Sequence, residues 1–298
     1  MIDGYLSFFN RYSGQIEKEN IYGERYLHWI TTNPWGKISN WALVKRACFS
    51  HWYGWRMKRR SSRKMILPFI SKYNIDIDEF ECSPESFYSF NEFFCRTIKR
   101  TKRPIDNAVK SAVFPADGRH LGFQDISQIK GVFVKGQILK IDWLLNDDSL
   151  VKRFRDATIV ISRLCPIDYH RFHFPVSGTP GDSQPINGSL SSVNPIALRR
   201  NINILAENKR VLTRLNSDYF GQVLILEVGA TCVGSIINTY DPNIPIIKGD
   251  EKGYFSFGGS VVITFFEKKR IQLDDDLLKN SAEGLELYAH MGDRLGKK

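Results

Sequence analysis

The sequence lacks the features of a disulfide-bonded, zinc-ribbon or membrane-spanning protein. Its five cysteines are an odd number at scattered positions and include no CxxC pair, so neither a disulfide framework nor a zinc ribbon is predicted. No apolar run of about 18 residues occurs, which argues against a spanning helix. Residues 1–20 carry five charged side chains and no apolar core typical of a signal peptide. We therefore expect a cytoplasmic protein with small buried thiols.

Positive charge is concentrated in one part of the chain. Residues 1–66 hold twelve Lys or Arg and four Asp or Glu, a balance of +8, whereas residues 67–298 have a balance of +2. Five of the six tryptophans also lie within residues 1–66. From Ile38 to Trp55 apolar residues recur at every third or fourth position, which predicts a helix with one apolar stripe.

This composition favours a segment that lies on a membrane. Tryptophan prefers the headgroup level of a bilayer, and cations are attracted to anionic lipid. We therefore interpret residues 1–66 as a basic, Trp-rich, helical membrane-association region. Packing of the tryptophans into the protein core is the alternative. No nucleic-acid reader motif accompanies the charge, so no nucleic-acid partner is expected.

The remaining residues, 67–298, change from helical to strand-like patterns. A helix is predicted to begin at Ser83, where Ser-Pro supplies an N-cap and an N1 proline, and to place Phe87, Phe90 and Phe94 on one face. Beyond about residue 110, short β-like runs alternate with turn signals; they include residues 157–161, 222–228 and 260–266. The predicted fold class is α+β, with the helical N-terminal region followed by a compact, mostly antiparallel β domain.

Three short motifs in the β region carry residues suited to chemistry. Asp117 lies in PADG, His170 and His173 lie in YHRFH, and Ser260 ends Gly258–Ser260. Each motif alone has an ordinary interpretation, because Asp-Gly and Gly-Gly-Ser usually form turns. The two histidines lack an obvious third ligand, so no metal is expected. Together, however, the motifs supply a serine, a base that can accept its proton and a carboxylate that can orient the base.

In their order and spacing, these motifs resemble the phosphatidylserine decarboxylase family over roughly residues 65–295. The matching pieces are FFCR (93–96), RPI (103–105), PADG (115–118), VKG (134–136), YHRFHFPVSG (169–178), ENKR (207–210), VGA (228–230), VGSI (233–236) and KGDEKGYF (248–255) leading into GGS (258–260). The Gly-Gly-Ser form is similar to the bacterial, chlamydia-like branch, whereas many relatives carry Leu-Gly-Ser. Relatives usually follow the serine with threonine, and this sequence has Val261 instead. We expect this difference to slow self-cleavage or leave it unchanged.

The resemblance implies that Asp117, His173 and Ser260 form a self-processing triad. Ser260 would attack the carbonyl of Gly259 to give an ester, and β-elimination and hydrolysis would then break the chain. The products would be a large chain, 1–259, and a small chain, 260–298, which begins with a pyruvoyl group made from Ser260.

The resemblance also implies the reaction and its partners. The pyruvoyl group would form a Schiff base with phosphatidylserine and accept electrons as CO2 leaves, giving phosphatidylethanolamine without pyridoxal phosphate or metal. His170 would handle the substrate and transfer a proton. The expected location is the cytoplasmic side of the bacterial cell membrane, as a peripheral protein bound to an anionic surface. The large and small chains would stay associated, and a homodimer is suggested.

Two other functions remain open from the residues. One is a pyruvoyl-dependent decarboxylase of another amino acid or serine-bearing lipid. The other is an inactive membrane-binding scaffold, although such a protein would need neither the serine nor the histidines.

Overall fold

A computed structural model describes residues 7–19, 47–126, 139, 141–230, 235–258 and 260–298. The strands are β1 (Ser7–Asn10), β2 (Gln15–Lys18), β3 (Ser111–Val113), β4 (Gly118–Phe123), β5 (Thr158–Leu164), β6 (Arg171–His173), β7 (Thr179–Pro180), β8 (Gln184–Ile186), β9 (Arg210–Ser217), β10 (Gly221–Gly229), β11 (Ile236–Asn238), β12 (Glu251–Phe255), β13 (Ser260–Phe266), β14 (Gln272–Leu273), β15 (Glu286–Ala289) and β16 (Arg294–Lys297). The helices are α1 (Ala47–Lys58), α2 (Ile66–Tyr73), α3 (Phe90–Phe94), α4 (Ile141–Leu145), α5 (Asp148–Arg153), α6 (Pro195–Arg200), α7 (Ile204–Glu207) and α8 (Asp275–Ala282), with 3₁₀ turns at Arg60–Met65, Ile77–Glu79, Pro84–Ser86 and Arg100–Lys102.

A ten-stranded sheet forms the centre of the molecule. Its order is β2-β1-β15-β4-β5-β13-β10-β9-β7, and β8 also pairs with β9. Neighbouring strands are antiparallel except for β1 and β15, which are parallel. Two three-stranded antiparallel sheets, β11-β12-β6 and β14-β16-β3, accompany it. The predicted mostly antiparallel β domain is confirmed.

The central strand β13 is buried on both faces of the main sheet. All seven of its residues are buried, which explains its nearly continuous apolar sequence. Because side chains alternate across a strand, Val261 and Ile263 join the core beneath α4–α7, whereas Val262 and Phe266 join the opposite core. Ser260 shares the face of Val262. That face is packed against Phe172 of β6 and Phe255 of β12.

The N-terminal region departs from its predicted helical character. Residues 7–18 form the β1–β2 hairpin, which turns at Gly14 and extends the main sheet through β15. Pairing with β15 and within the hairpin satisfies backbone hydrogen bonds of residues 7–18, which a helix would otherwise have to satisfy. The helix predicted from Ile38 to Trp55 overlaps α1 from Ala47 onward, whereas residues 38–46 lie outside the described residues, so the predicted helical N-terminal region as a whole is not confirmed.

The predicted helix from Ser83 is divided into two short elements. Ser83 does cap a turn, since its hydroxyl accepts a hydrogen bond from Glu85 N at 3.3 Å, but this turn ends at Ser86. Ser89 then caps α3 by accepting from Glu92 N at 3.2 Å. A second serine cap therefore starts a new helix where one continuous helix was expected. None of the described helices has both the length and the apolarity needed to cross a membrane.

Candidate active site

Ser260 lies at the end of the central strand, inside the protein. It is paired with Leu164 of β5 on one side and Gly229 of β10 on the other. Its side chain is fully buried. Among the described residues, no group hydrogen-bonds its Oγ. A buried hydroxyl without a partner is costly, so this position is unusual for a residue that only fills the core.

The residues just before Ser260 are held from two directions. Phe255 N donates to His170 O at 3.0 Å, and Phe257 N donates to Asn91 Oδ1 at 3.0 Å. The Phe257 ring packs against the aromatic rings of α3. Gly258 has a φ of +141°, a conformation that favours glycine. The chain therefore bends sharply before Ser260; Gly259, the predicted cleavage position, lies outside the described residues.

Asp117 lies at the start of β4, near the same end of the main sheet. The register of β4 and β5 puts the neighbouring Gly118 beside Leu164, the residue paired with Ser260. Two strand spacings of about 4.8 Å therefore separate the backbones of Gly118 and Ser260 by about 10 Å. The sheet thus brings Asp117 and Ser260 to one region without hydrogen-bonding them to each other.

The hydrogen-bond partners of Asp117 are an arginine and a backbone amide. Arg103 donates to both carboxylate oxygens, with Nη2 at 2.7 Å from Oδ2, and Met291 N donates to Oδ1 at 2.8 Å. Arg103 also forms a two-bond contact with Glu79, at 2.9 Å for each bond. These contacts satisfy the buried carboxylate of Asp117 with a fixed cation and a backbone donor.

His170 is fully buried and contacts the segment that precedes Ser260. Its Nδ1 lies 2.9 Å from Asp168 O, and its ring lies 3.7 Å from that of Phe94. A carbonyl oxygen can only accept a hydrogen bond, so Nδ1 carries the proton and Nε2 has a free lone pair. Among the described residues, Nε2 has no partner. Burial lowers the pKa of His170 to about 3, so the ring is neutral at physiological pH.

His173 is buried beside the turn that contains Asp117. Its backbone N donates to Pro115 O at 2.7 Å, and its Nδ1 lies 3.0 Å from Gly249 O. Its Nε2 is 3.3 Å from the Tyr169 hydroxyl, which therefore donates to it. Burial lowers the pKa of His173, and the hydrogen bond to Gly249 O opposes this shift. Within the described residues, His173 hydrogen-bonds neither Asp117 nor Ser260.

Sequence reasoning did not single out three residues that contact the predicted site: Arg103, Asp168 and Tyr169. Each lies within or next to a motif that was noted, since Arg103 begins RPI, Tyr169 begins YHRFHFPVSG and Asp168 directly precedes Tyr169. The sequence offered no signal of these contacts. Arg103, for example, lies 14 residues from Asp117, the residue whose carboxylate it contacts.

Val261 faces away from Ser260. It is fully buried and belongs to the core on the opposite face of the main sheet. A threonine at this position would point its hydroxyl into that apolar core and away from the serine.

Comparison with known proteins gives a consistent result. Residues 90–297 match the family model described as phosphatidylserine decarboxylase. The chain is 43% identical to a protein of Clostridium kluyveri named phosphatidylserine decarboxylase proenzyme, over 98% of this chain and 99% of the relative. It is 39% identical to a protein of the same name from Fusobacterium nucleatum and 40% identical to one from Desulfitobacterium hafniense, in both cases over 98% of each chain.

Proposed function

The chain belongs to the phosphatidylserine decarboxylase family, and we propose that Ser260 is the residue at which this proenzyme cuts itself. The protein is a carboxy-lyase of phospholipid biosynthesis and converts phosphatidylserine to phosphatidylethanolamine and CO2. The observation that carries the role of Ser260 is its buried hydroxyl, which lacks a hydrogen-bond partner among the described residues. A nucleophile must keep its oxygen available for attack.

The surroundings of Ser260 fit the pyruvoyl group that the family uses. A break before Ser260 would make it the first residue of the small chain, at a buried position whose preceding segment is hydrogen-bonded to His170 through Phe255. A pyruvoyl group there supplies a carbonyl that reacts with the substrate amine and accepts the electron pair left by CO2. The contacts made by Phe255 and Phe257 hold the large-chain side of the break in place.

His173 and Asp117 are proposed to assist the cleavage. His173 Nε2 would accept the proton from the Ser260 hydroxyl as the oxygen bonds to the Gly259 carbonyl carbon, and it would give that proton to the amine nitrogen of Ser260 as the peptide bond breaks. This requires the Tyr169 hydroxyl to release Nε2, which it contacts at 3.3 Å. Asp117, fixed in place by its ion pair with Arg103, would supply the carboxylate that stabilises positive charge on the histidine.

His170 is proposed to transfer the proton that decarboxylation consumes. One carboxylate is replaced by one hydrogen in each turnover, so Nε2 of His170 would first take up a proton from solvent and then give it to the substrate carbon. His170 supports this role because its Nε2 is bare and buried. An anionic lipid phosphate nearby would favour the protonated ring.

The serine assignment is tested by Ser260→Ala. We expect the parent chain to separate into two fragments on a denaturing gel, with a blocked N-terminus on the small one, and Ser260→Ala to remain one chain of 34.4 kDa. Ser256→Ala is the matched control, since Ser256 is also buried but lies before the proposed break. Cleavage in Ser260→Ala, or none in the parent, would exclude the proposal.

We also propose that α1 and the following 3₁₀ turn form the surface that binds anionic membrane. Trp52 and Trp55 are 50% and 52% exposed, so these two do not pack into the core. Arg59 lies 3.6 Å from the Trp55 ring, and further cations follow at Arg60, Arg63 and Lys64. Exposed indole rings beside cations suit the headgroup layer of an anionic bilayer.

The same helix contacts the cleavage segment. Tyr53 of α1 lies 5.7 Å from the ring of Phe257, three residues before Ser260. A bilayer bound to the exposed side of α1 would therefore lie close to the site, which suits a substrate that stays in the membrane.

Vesicle binding tests this surface. Trp52→Ala combined with Trp55→Ala should reduce sedimentation with vesicles containing phosphatidylserine, whereas Trp143→Ala, which removes a 50% exposed tryptophan on α4, should not. Equal loss in both variants would reject the proposed surface.

The proposed location is the cytoplasmic face of the bacterial cell membrane, where the negative leaflet attracts cations such as those of the α1 surface. Fractionation of cells in high and low salt tests it, since peripheral binding by charge weakens with salt. A homodimer stays a prediction, which sedimentation velocity can test.

A further inference from the structure

The loop that carries His170 is anchored by a buried aspartate. Residues 165–170 connect β5 to β6, and Asp168 N donates to Cys165 O at 2.9 Å to close a turn. The Asp168 side chain is only 3% exposed. A carboxylate in such a position needs partners that satisfy its charge.

Two groups hold the Asp168 carboxylate. Arg119 of β4 donates from Nη1 to both oxygens, at 2.7 Å for Oδ1, and Cys165 N donates to Oδ2 at 2.6 Å. The Arg119 guanidinium also packs against the rings of Phe8 and Tyr288, at 4.9 and 5.0 Å from their centroids. The ion pair between Arg119 and Asp168 thus fixes the loop to the main sheet. Separating the two residues would leave an unpaired charge buried in the protein.

The carbonyl of the same aspartate is the partner of His170. Asp168 O lies 2.9 Å from His170 Nδ1 and 3.4 Å from Nη2 of the buried Arg96. Rotation of the loop would move this oxygen away from Nδ1, and the ring could then place its proton on Nε2. Asp168 therefore bonds Arg119 through its side chain and His170 through its backbone carbonyl, so the ion pair can control which nitrogen of His170 carries the proton.

We infer that Asp168, fixed by Arg119, is a positioning residue that holds His170 in the Nδ1–H form and keeps Nε2 bare, so that Nε2 can take up a proton and pass it to the substrate carbon. This rests on the proposed role of His170 in decarboxylation. Asp168 does not touch the reacting atoms; it acts through the imidazole ring. The arrangement follows the general rule that the hydrogen bond at one ring nitrogen decides what the other can do.

Paired substitution tests the inference without leaving a buried charge alone. Arg119→Met with Asp168→Leu replaces the ion pair by apolar groups of similar size, a change that often preserves stability. The matched control is Glu227→Leu with Lys252→Met, because that ion pair is also fully buried, at 3.0 Å, and is not bonded to His170. Both pairs are made in the uncleaved Ser260→Ala chain, so the first readout needs no activity.

The first readout is the nitrogen-15 spectrum of labelled histidines, assigned with His170→Gln. We expect His170 to be in the Nδ1–H form in the Ser260→Ala chain and in the Glu227/Lys252 control. A mixture that includes the Nε2–H form should appear when Arg119 and Asp168 are replaced. The inference is overturned if His170 is Nε2–H at the start, or if replacing Arg119 and Asp168 leaves its form unchanged.

The second readout is decarboxylation by the processed proteins that carry Ser260. Replacing Arg119 and Asp168 should lower kcat about 10- to 100-fold with little change in KM, because a misplaced group slows the chemical step more than binding. Equal kcat in the parent and this variant would overturn the inference. Full activity of processed His170→Gln would instead reject the proposed role of His170, and the spectra would still report whether Asp168 controls its proton.

Discussion

The side chain of Asp117 shows how the site is organised at the scale of single residues. Its hydrogen-bonded side-chain partner is Arg103, and this arginine also holds Glu79. The carboxylate of the expected triad is therefore supported by Arg103. His173 does not hydrogen-bond this carboxylate among the described residues; it bonds Tyr169 and Gly249 O. Of the four site residues proposed from sequence, each is buried, and their roles remain predictions.

Arg103→Met should be strongly destabilising. It would leave the Asp117 carboxylate, 3% exposed, without its cation, and breaking a buried pair costs about 3–5 kcal/mol. Urea unfolding in the Ser260→Ala chain measures the loss. The control is Arg153→Met, which breaks an ion pair whose arginine is 51% exposed and should cost at most about 1 kcal/mol. Similar losses in the two variants would contradict the importance of the Arg103 contact.

His120 should make folding stability depend on pH. Burial lowers its pKa to about 3, whereas an unfolded histidine has a pKa of about 6.5. Below pH 6.5 the unfolded chain therefore takes up a proton that the folded chain does not, so stability falls with pH by about 1.4 kcal/mol per unit until the folded pKa is reached. The stability advantage of the parent over His120→Gln should shrink by about 2.5 kcal/mol between pH 6 and pH 4. A constant difference would show that His120 does not titrate as expected.

At the scale of elements, close strand packing sets the position of Asp117. Gly118 follows Asp117 and lies against β5, where an added Cβ would be 2.4 Å from Arg163 O. Side-chain periodicity predicted β5, β10 and β13 well, because each has a run of buried apolar residues. It did not predict the β1–β2 hairpin, whose stability depends on pairing with β15, far away in the chain.

Gly118→Ala should push β4 away from β5 and displace Asp117. We expect a loss of about 1–3 kcal/mol in unfolding free energy and slower self-cleavage, since overpacking forces the backbone to shift. Gly181→Ala is the control, because its added Cβ would meet only Arg214 O, at 3.7 Å. Thermal unfolding and the rate of fragment formation measure both effects. If the two alanine variants behave alike, the close approach of β4 and β5 does not control the site.

At the scale of the whole molecule, the proposed break lies next to the most central strand. The small chain, 260–298, would contain β13, which pairs with β5 and β10 along all seven residues. It would also contain β15 and β16, which pair with strands of the large chain. Cutting one peptide bond leaves these contacts intact.

The two fragments should therefore remain together after cleavage. We expect them to co-elute in size-exclusion chromatography under native conditions and to separate only in denaturant, because all of β13 is buried and its exposure would cost about 25 cal/mol for each Å² of apolar surface. Mass spectrometry of the native peak measures both chains. Loss of the small chain from folded protein would contradict this prediction.

The sequence by itself determined the family, the α+β class, the buried central strand and the set of Asp117, His170, His173 and Ser260. Motifs and side-chain periodicity involve residues close together in the chain, so they can be read directly. Only the tertiary structure decided that Arg103 holds Asp117, that Asp168 O accepts a hydrogen bond from His170 Nδ1, and that Tyr169 contacts His173. These partners are chosen by sheet register and loop geometry, which bring buried polar groups together and require each to find a hydrogen bond away from water.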